Sequence, residues 1–265
     1  MKKYIEVFRL SFKMQIVWRF DVAMTMAATF GRIIAAWILW QAIFSANTQI
    51  KGFSFAAMLS YYIISSILSS IDFSHQISGE VSELIQSGAF SGYMVTPMNP
   101  LFFFSSMTAG ESVFHLGFSF LAAVICAVIF RMNIIITPDT VNIILALVMI
   151  FIGLAFMSCY HYTIGVLTFK FIDIDFFMYI QGSIIAFVTG ALVPLSLLPD
   201  SVLFVLRFLP FTHVIYTPAM LLCGQVSACE GLFGLALISI WTLIMFVIAQ
   251  YAYNSLRVKY DGVGI

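Results

Sequence analysis

The chain has 265 residues, of which 62% are hydrophobic and 9% charged, and its 12 basic and 12 acidic side chains leave no net charge. Soluble domains carry roughly 25% charged residues, so this composition excludes a soluble fold and marks an integral membrane protein of several spans. The neutral balance leaves no basic face for nucleic acid, and Cys126, Cys159, Cys223 and Cys229 form neither a CxxC pair nor a metal-ligand spacing.

Residues 1–20 read as an interfacial amphipathic helix. At 3.6 residues per turn Lys2, Glu6, Arg9 and Lys13 fall in a sector of about sixty degrees, with Tyr4, Phe8, Ser11 and Trp18 well away from it. Such a helix lies along the headgroups, charges to water and rings to acyl chains. Its charges interrupt every apolar run, so no signal peptide is expected.

Six spans of about twenty apolar residues are expected to follow, near Val22–Phe44, Phe55–Ile71, Met107–Phe130, Val141–Leu167, Phe176–Leu198 and Leu232–Tyr253. Ser60, Ser65, Ser66, Ser69 and Ser70 dilute the second, which suits a helix packed among neighbours rather than lipid. The excess of Lys and Arg near the N-terminus puts both termini in the cytoplasm, residues 254–265 forming a cytoplasmic tail. The loops Ser45–Gly52 and Arg131–Thr140 are then external and short, and the long loop Asp72–Pro100 is internal. Phe102–Phe104 and Phe176–Phe177, at span ends, are expected as interfacial anchors.

Within the internal loop, Ser78–Gln86 is expected to form a short helix ended by Gly88, with Glu80 and Glu83 exposed and Val81, Leu84 and Ile85 as an apolar anchor. On the outer side, Gly190–Gly224 is too apolar for an ordinary loop, yet Pro194, Pro199, Pro210 and Pro218 forbid one continuous helix. Broken apolar backbone at membrane depth survives only under cover of protein or beside a water-filled cavity. A lid of this kind points to a transporter.

The whole order of parts resembles the membrane subunit of type-2 ABC exporters, in the branch of six-span permeases that work beside a separate ATPase. The resemblance rests on Trp40, Ala42 and Phe44, on Tyr61–Tyr62, and on ISGEVSELIQSGAFSGYMVTP. It rests also on Gly190, Pro194, Pro199, Leu209, Pro210, Phe211, Pro218 and Gly224 of the lid, and on Tyr260, Asp261, Gly262, Val263 and Gly264 of the tail. The internal segment departs from the family in carrying no Lys or Arg. The resemblance implies a single all-α transmembrane domain over 1–265, with an N-terminal elbow helix and short broken extracellular helices between spans five and six. It implies ATPase coupling through Glu80, Val81, Glu83, Leu84, Ile85 and Gly88, and an outer gate at Pro194, Pro199, Pro210, Phe211 and Pro218. Two copies of an ATP-binding subunit and a second permease, identical or homologous, are the implied partners beside membrane lipid, in the plasma membrane. The cargo would be an amphiphilic or hydrophobic drug, lipid or peptide.

No GxxxxGK[ST] run occurs, so this chain encodes no phosphate-cradling loop, and ATP, if used, is bound by the partner. No cofactor, metal or catalytic constellation is expected. Arg32, near the middle of span one, is a candidate cavity or interface charge; the plainer reading is a structural pair with a carboxylate, or snorkelling. Glu111 and His115 share a helix face at i,i+4, either as part of a proton relay, the mark of a secondary transporter, or, as is favoured, as cavity or interface residues in a solvated inner vestibule or a helix-to-helix hydrogen bond. His161 belongs to the same question. Cys223 and Cys229 could pair in an oxidising exterior or remain free thiols.

Overall fold

The computed structural model describes residues 2–17, 19–46, 49–72, 74–171 and 174–259. Trp18 and the tail motif Tyr260–Gly264 lie outside them. The described elements are α-helices and short 3-10 turns: α1 (Lys2–Met14), α2 (Arg19–Phe44), α3 (Phe55–Ile71), α4 (His75–Gln86), α5 (Ser91–Val95), α6 (Pro100–Ile129), α7 (Thr140–Val166), α8 (Asp175–Val188), α9 (Asp200–Leu206), α10 (Tyr216–Leu222) and α11 (Ala228–Leu256). Among the described residues, five stretches are long and apolar enough to cross a bilayer, built on α2, α3 continued by α4, α6, α7 and α11; α9 and residues 210–222 form a further pair bent by 85°.

Two of the expected boundaries move by more than four residues. Span three begins at Pro100 rather than Met107, because Asn99 caps the helix by accepting from Leu101 N at 3.0 Å and proline fits the first turn, where an N–H has no partner anyway. Phe102–Phe104 are therefore helical, and Phe104 is fully buried instead of anchoring at an interface. Span five stops at Val188 rather than Leu198. Gly190 adopts φ +80°, a left-handed conformation that ends a helix without penalty only for glycine. Its 14 residues cover about 21 Å, short of the ~30 Å hydrocarbon thickness.

Hydrogen bonds sort the connections to two ends of the bundle. At one end Ile135 N donates to Ser60 Oγ (2.7 Å), Thr137 N to Leu222 O (2.8 Å) and Lys51 Nζ to Leu198 O (2.9 Å), which gathers the two short loops and the lid. At the other end Thr168 Oγ1 donates to Ser82 Oγ (3.0 Å) and Asn99 Nδ2 to Gln250 Oε1 (3.1 Å), which gathers α4 and the ends of α6, α7 and α11. The main apolar core joins α3, α7 and the lid; a second joins α4, α6, α7 and α11.

α1 turns its charges outward as its periodicity requires, but its other face is taken by protein. It packs along the first half of α6: Tyr4 meets Phe102, Ser11 is buried, and a Cβ on Gly110 would come 2.5 Å from Phe8 O.

Candidate functional site: inner helix, lid and central cavity

α4 turns its apolar side into its own chain. Val81 and Ile85 are buried, Leu84 is partly so, and a Cβ on Gly165 of α7 would stand 2.8 Å from Val81 Cβ. The expectation that Val81 and Ile85 offer a greasy anchor to a partner is therefore corrected. A 12-residue helix with one apolar stripe buries it on the nearest apolar surface, which here is α7. What α4 presents outward is Glu83, Gln86 and Ser87, continued by Ala89 and Ser91. Gly88, at φ +79°, ends the helix, and Phe90 N then closes back onto Leu84 O at 2.9 Å while its ring is fully buried against Phe169 and Tyr253. Glu80 is half-buried at the edge of this contact. Burial, then the Glu111 and Glu83 carboxylates, push its carboxyl up to about 7.

In the lid each of the four prolines stands at the start of a helical piece. Pro194 precedes the turn Leu195–Leu197, Pro199 precedes α9, Pro210 opens the turn Pro210–His213, and Pro218 lies in the first turn of α10. The lid is held from three sides. Tyr61 Oη donates to Gly190 O (2.7 Å) and Tyr62 Oη to Leu192 O (2.9 Å). A Cβ on Gly153, midway along α7, would lie 3.3 Å from Val214 Cα, and one on Gly234 of α11 would lie 2.8 Å from His213 Nδ1. Phe211 sits edge-on to Phe156 and Tyr160, with centroids 5.5 and 5.3 Å away. The lid thus reaches the middle of α7 instead of capping the bundle end.

Its two halves differ. Residues 212–221 are buried, whereas α9 exposes Val202, Phe204 and Val205 and buries only Leu206. An ion pair of 2.8 Å between Arg207 and Glu230 of α11, each half-exposed, ties the end of α9 to the bundle.

Between α3, α7, α8 and the lid lies a cavity of about 760 Å³, bounded by Arg32 of α2, Ser66, Ser69 and Asp72 of α3 and its continuation, Met157 and His161 of α7, and Ile215 of the lid. Glu111 and His115 are not part of it. They pack against α1 and the turn after it, where Ser11 Oγ donates to Glu111 Oε1 (3.4 Å) and His115 Nε2 lies 3.3 Å from Gln15 Oε1. His161 is bonded to Ser78 of α4 (Nδ1 to Oγ, 3.5 Å). Cys223 is buried and Cys229 exposed, both as free thiols.

Gly165, Gly153, Gly234 and Asp72 are absent from the residues singled out in the sequence. Nothing local marks them: a helical glycine shows its purpose only when the partner helix is in place.

Residues 30–264 match the family described as ABC-2 family transporter protein, and the chain belongs to it. It is a multi-pass membrane permease of that family. No curated protein matches the chain.

Proposed function

We propose that this chain is the membrane-spanning subunit of an ATP-driven exporter, assembled with a second permease, identical or homologous, and two separate ATPase subunits. It moves an amphiphilic or hydrophobic substrate outward across the plasma membrane, with both termini in the cytoplasm and the lid outside. Membership of the ABC-2 family supports this reading over proton-coupled transport.

The observation that carries the reading is that a single helix, α7, touches both working parts. α4 closes on it at Gly165 and the lid at Gly153, about 18 Å apart along one helix. A helix of 27 residues packed along its length is stiff, so a displacement of α4 by a nucleotide-driven partner reaches Val214 and Phe211. The outward rim of α4 and α5 is the ATPase docking surface, and Glu80, Val81, Leu84 and Ile85 fasten that surface to the bundle. The outer gate is divided: α9 moves, while Pro210, Phe211 and Pro218 form its fixed seat.

The test is co-expression with a P-loop ATPase subunit from the same genome, followed by co-purification and reconstitution. Stable association and substrate-stimulated hydrolysis are expected. A chain that purifies alone and leaves hydrolysis unaltered refutes the coupling.

A further inference from the structure

The central cavity holds charges of both signs, and neither is in an ion pair among the described residues. Arg32 makes no ion pair or hydrogen bond among the described residues; the ion pairs found there are Arg9–Glu6 and Arg207–Glu230. Asp72 uses Oδ1 to accept from Ser74 N at 3.1 Å and from the Ser74 hydroxyl, and its Oδ2 has no partner among the described residues. Both groups line the same 760 Å³ space. An unpaired charge within a bilayer is costly, so such residues mark substrate paths when they face a cavity.

Ser66, 5% exposed, also lines the cavity. Ser66, Ser69 and Asp72 recur every third position, which makes one polar rail about 9 Å long. On α8, Met178, Ile185 and Ala186 give the cavity an apolar strip beside Gln181 and Ser183.

Resting on the exporter reading, we propose that this cavity binds a zwitterionic amphiphile. Its anionic group sits on Arg32, its cationic group on Asp72, its head oxygens on the serine rail, and its apolar body along α8. A simple cation would leave Arg32 uncompensated and be repelled by it. A simple anion meets the same difficulty at Asp72. A head that carries both signs satisfies the two together.

The probes are three amphiphiles with the same twelve-carbon tail: dodecylphosphocholine, dodecyltrimethylammonium and dodecyl phosphate. Binding is measured below their micellar concentrations to the purified permease in a neutral maltoside, without the ATPase. A buried charge-assisted contact supports a preference of about tenfold or more, so the wild-type chain should favour the phosphocholine by that factor over both others. Arg32→Gln should bring the phosphocholine level with the cation. Asp72→Asn, which keeps the Oδ1 acceptor for Ser74, should bring it level with the anion, and Asp72→Glu should restore the preference. Equal binding of the three probes by wild type, or an unchanged ranking in either variant, overturns the proposal. Loss of self-association in Arg32→Gln with unchanged ranking would assign Arg32 to a contact between copies and overturn it too. Because the ATPase is absent, these failures leave the coupling reading intact, whereas failed co-purification would refute that reading alone.

Discussion

Gly165→Ala should separate hydrolysis from transport. The new Cβ would stand 2.8 Å from Val81 Cβ and 3.0 Å from Ser78 O, while ordinary contact begins at 3.4 Å. Val81 Cβ is fixed to the backbone, so no rotamer relieves the clash and α4 itself must retreat by about 0.6 Å or more, on the scale of overpacked cores. Overpacking costs about 1–3 kcal/mol, partly offset by the ~1 kcal/mol that Ala gains over Gly in helix propensity. The net loss is then about 0–2 kcal/mol, too little to unfold a bundle of long helices but enough to loosen one short one. Gly79→Ala is the control, for it gains the same propensity on α4 with nothing within 4 Å of its Cβ. In reconstituted transporter, Gly165→Ala should lower transport severalfold while basal hydrolysis persists, and Gly79→Ala should leave hydrolysis unchanged. A Ser82→Cys, Thr168→Cys pair, built where the native hydroxyls are 3.0 Å apart, should crosslink less completely in the Gly165→Ala background. Normal transport and normal crosslinking at normal abundance would refute the α7 strut.

Tyr61→Phe removes a bond from a fully buried hydroxyl and strands Gly190 O; a loss of about 1–2 kcal/mol is expected as a lowered Tm, and an unchanged Tm would mean that the lid is held elsewhere. The Glu80 carboxyl is raised to about 7, so between its unfolded value near 4.5 and about 7 the unfolded chain binds fewer protons and stability falls as pH rises. Glu80→Gln should flatten the pH 5–8 profile of α4 proteolysis, and an unaltered profile would assign that dependence to another group. Ser201 and Ser255 are exposed; in a background without native thiols, an impermeant maleimide on intact cells should label Ser201→Cys but not Ser255→Cys, and the reverse would invert the topology.

The membrane class, the long apolar helices and the position of the lid were legible in the sequence, because hydropathy and proline act through local chemistry. A run of twenty apolar residues has few alternatives in lipid, and each proline announces that a helix begins anew. The α1 stripe was legible for the same reason, since Lys2, Glu6, Arg9 and Lys13 share a face at helical period. Its covering was not, because Gly110 admits the α1 backbone only after α6 has folded beside it. The short fifth helix was also hidden: Phe176–Leu198 carries no charge and few polar residues, and its end is set by the turn at Gly190 and its bond to Tyr61. The apolar stripe of Val81 and Ile85 could be read, but not its destination. A stripe specifies burial without naming the surface that buries it, and only Gly165, 84 positions from Val81 in the chain, makes α7 that surface. Arg32 and Asp72 likewise belong to separate helices, and a cavity shared by the two exists only once the tertiary structure brings those helices together.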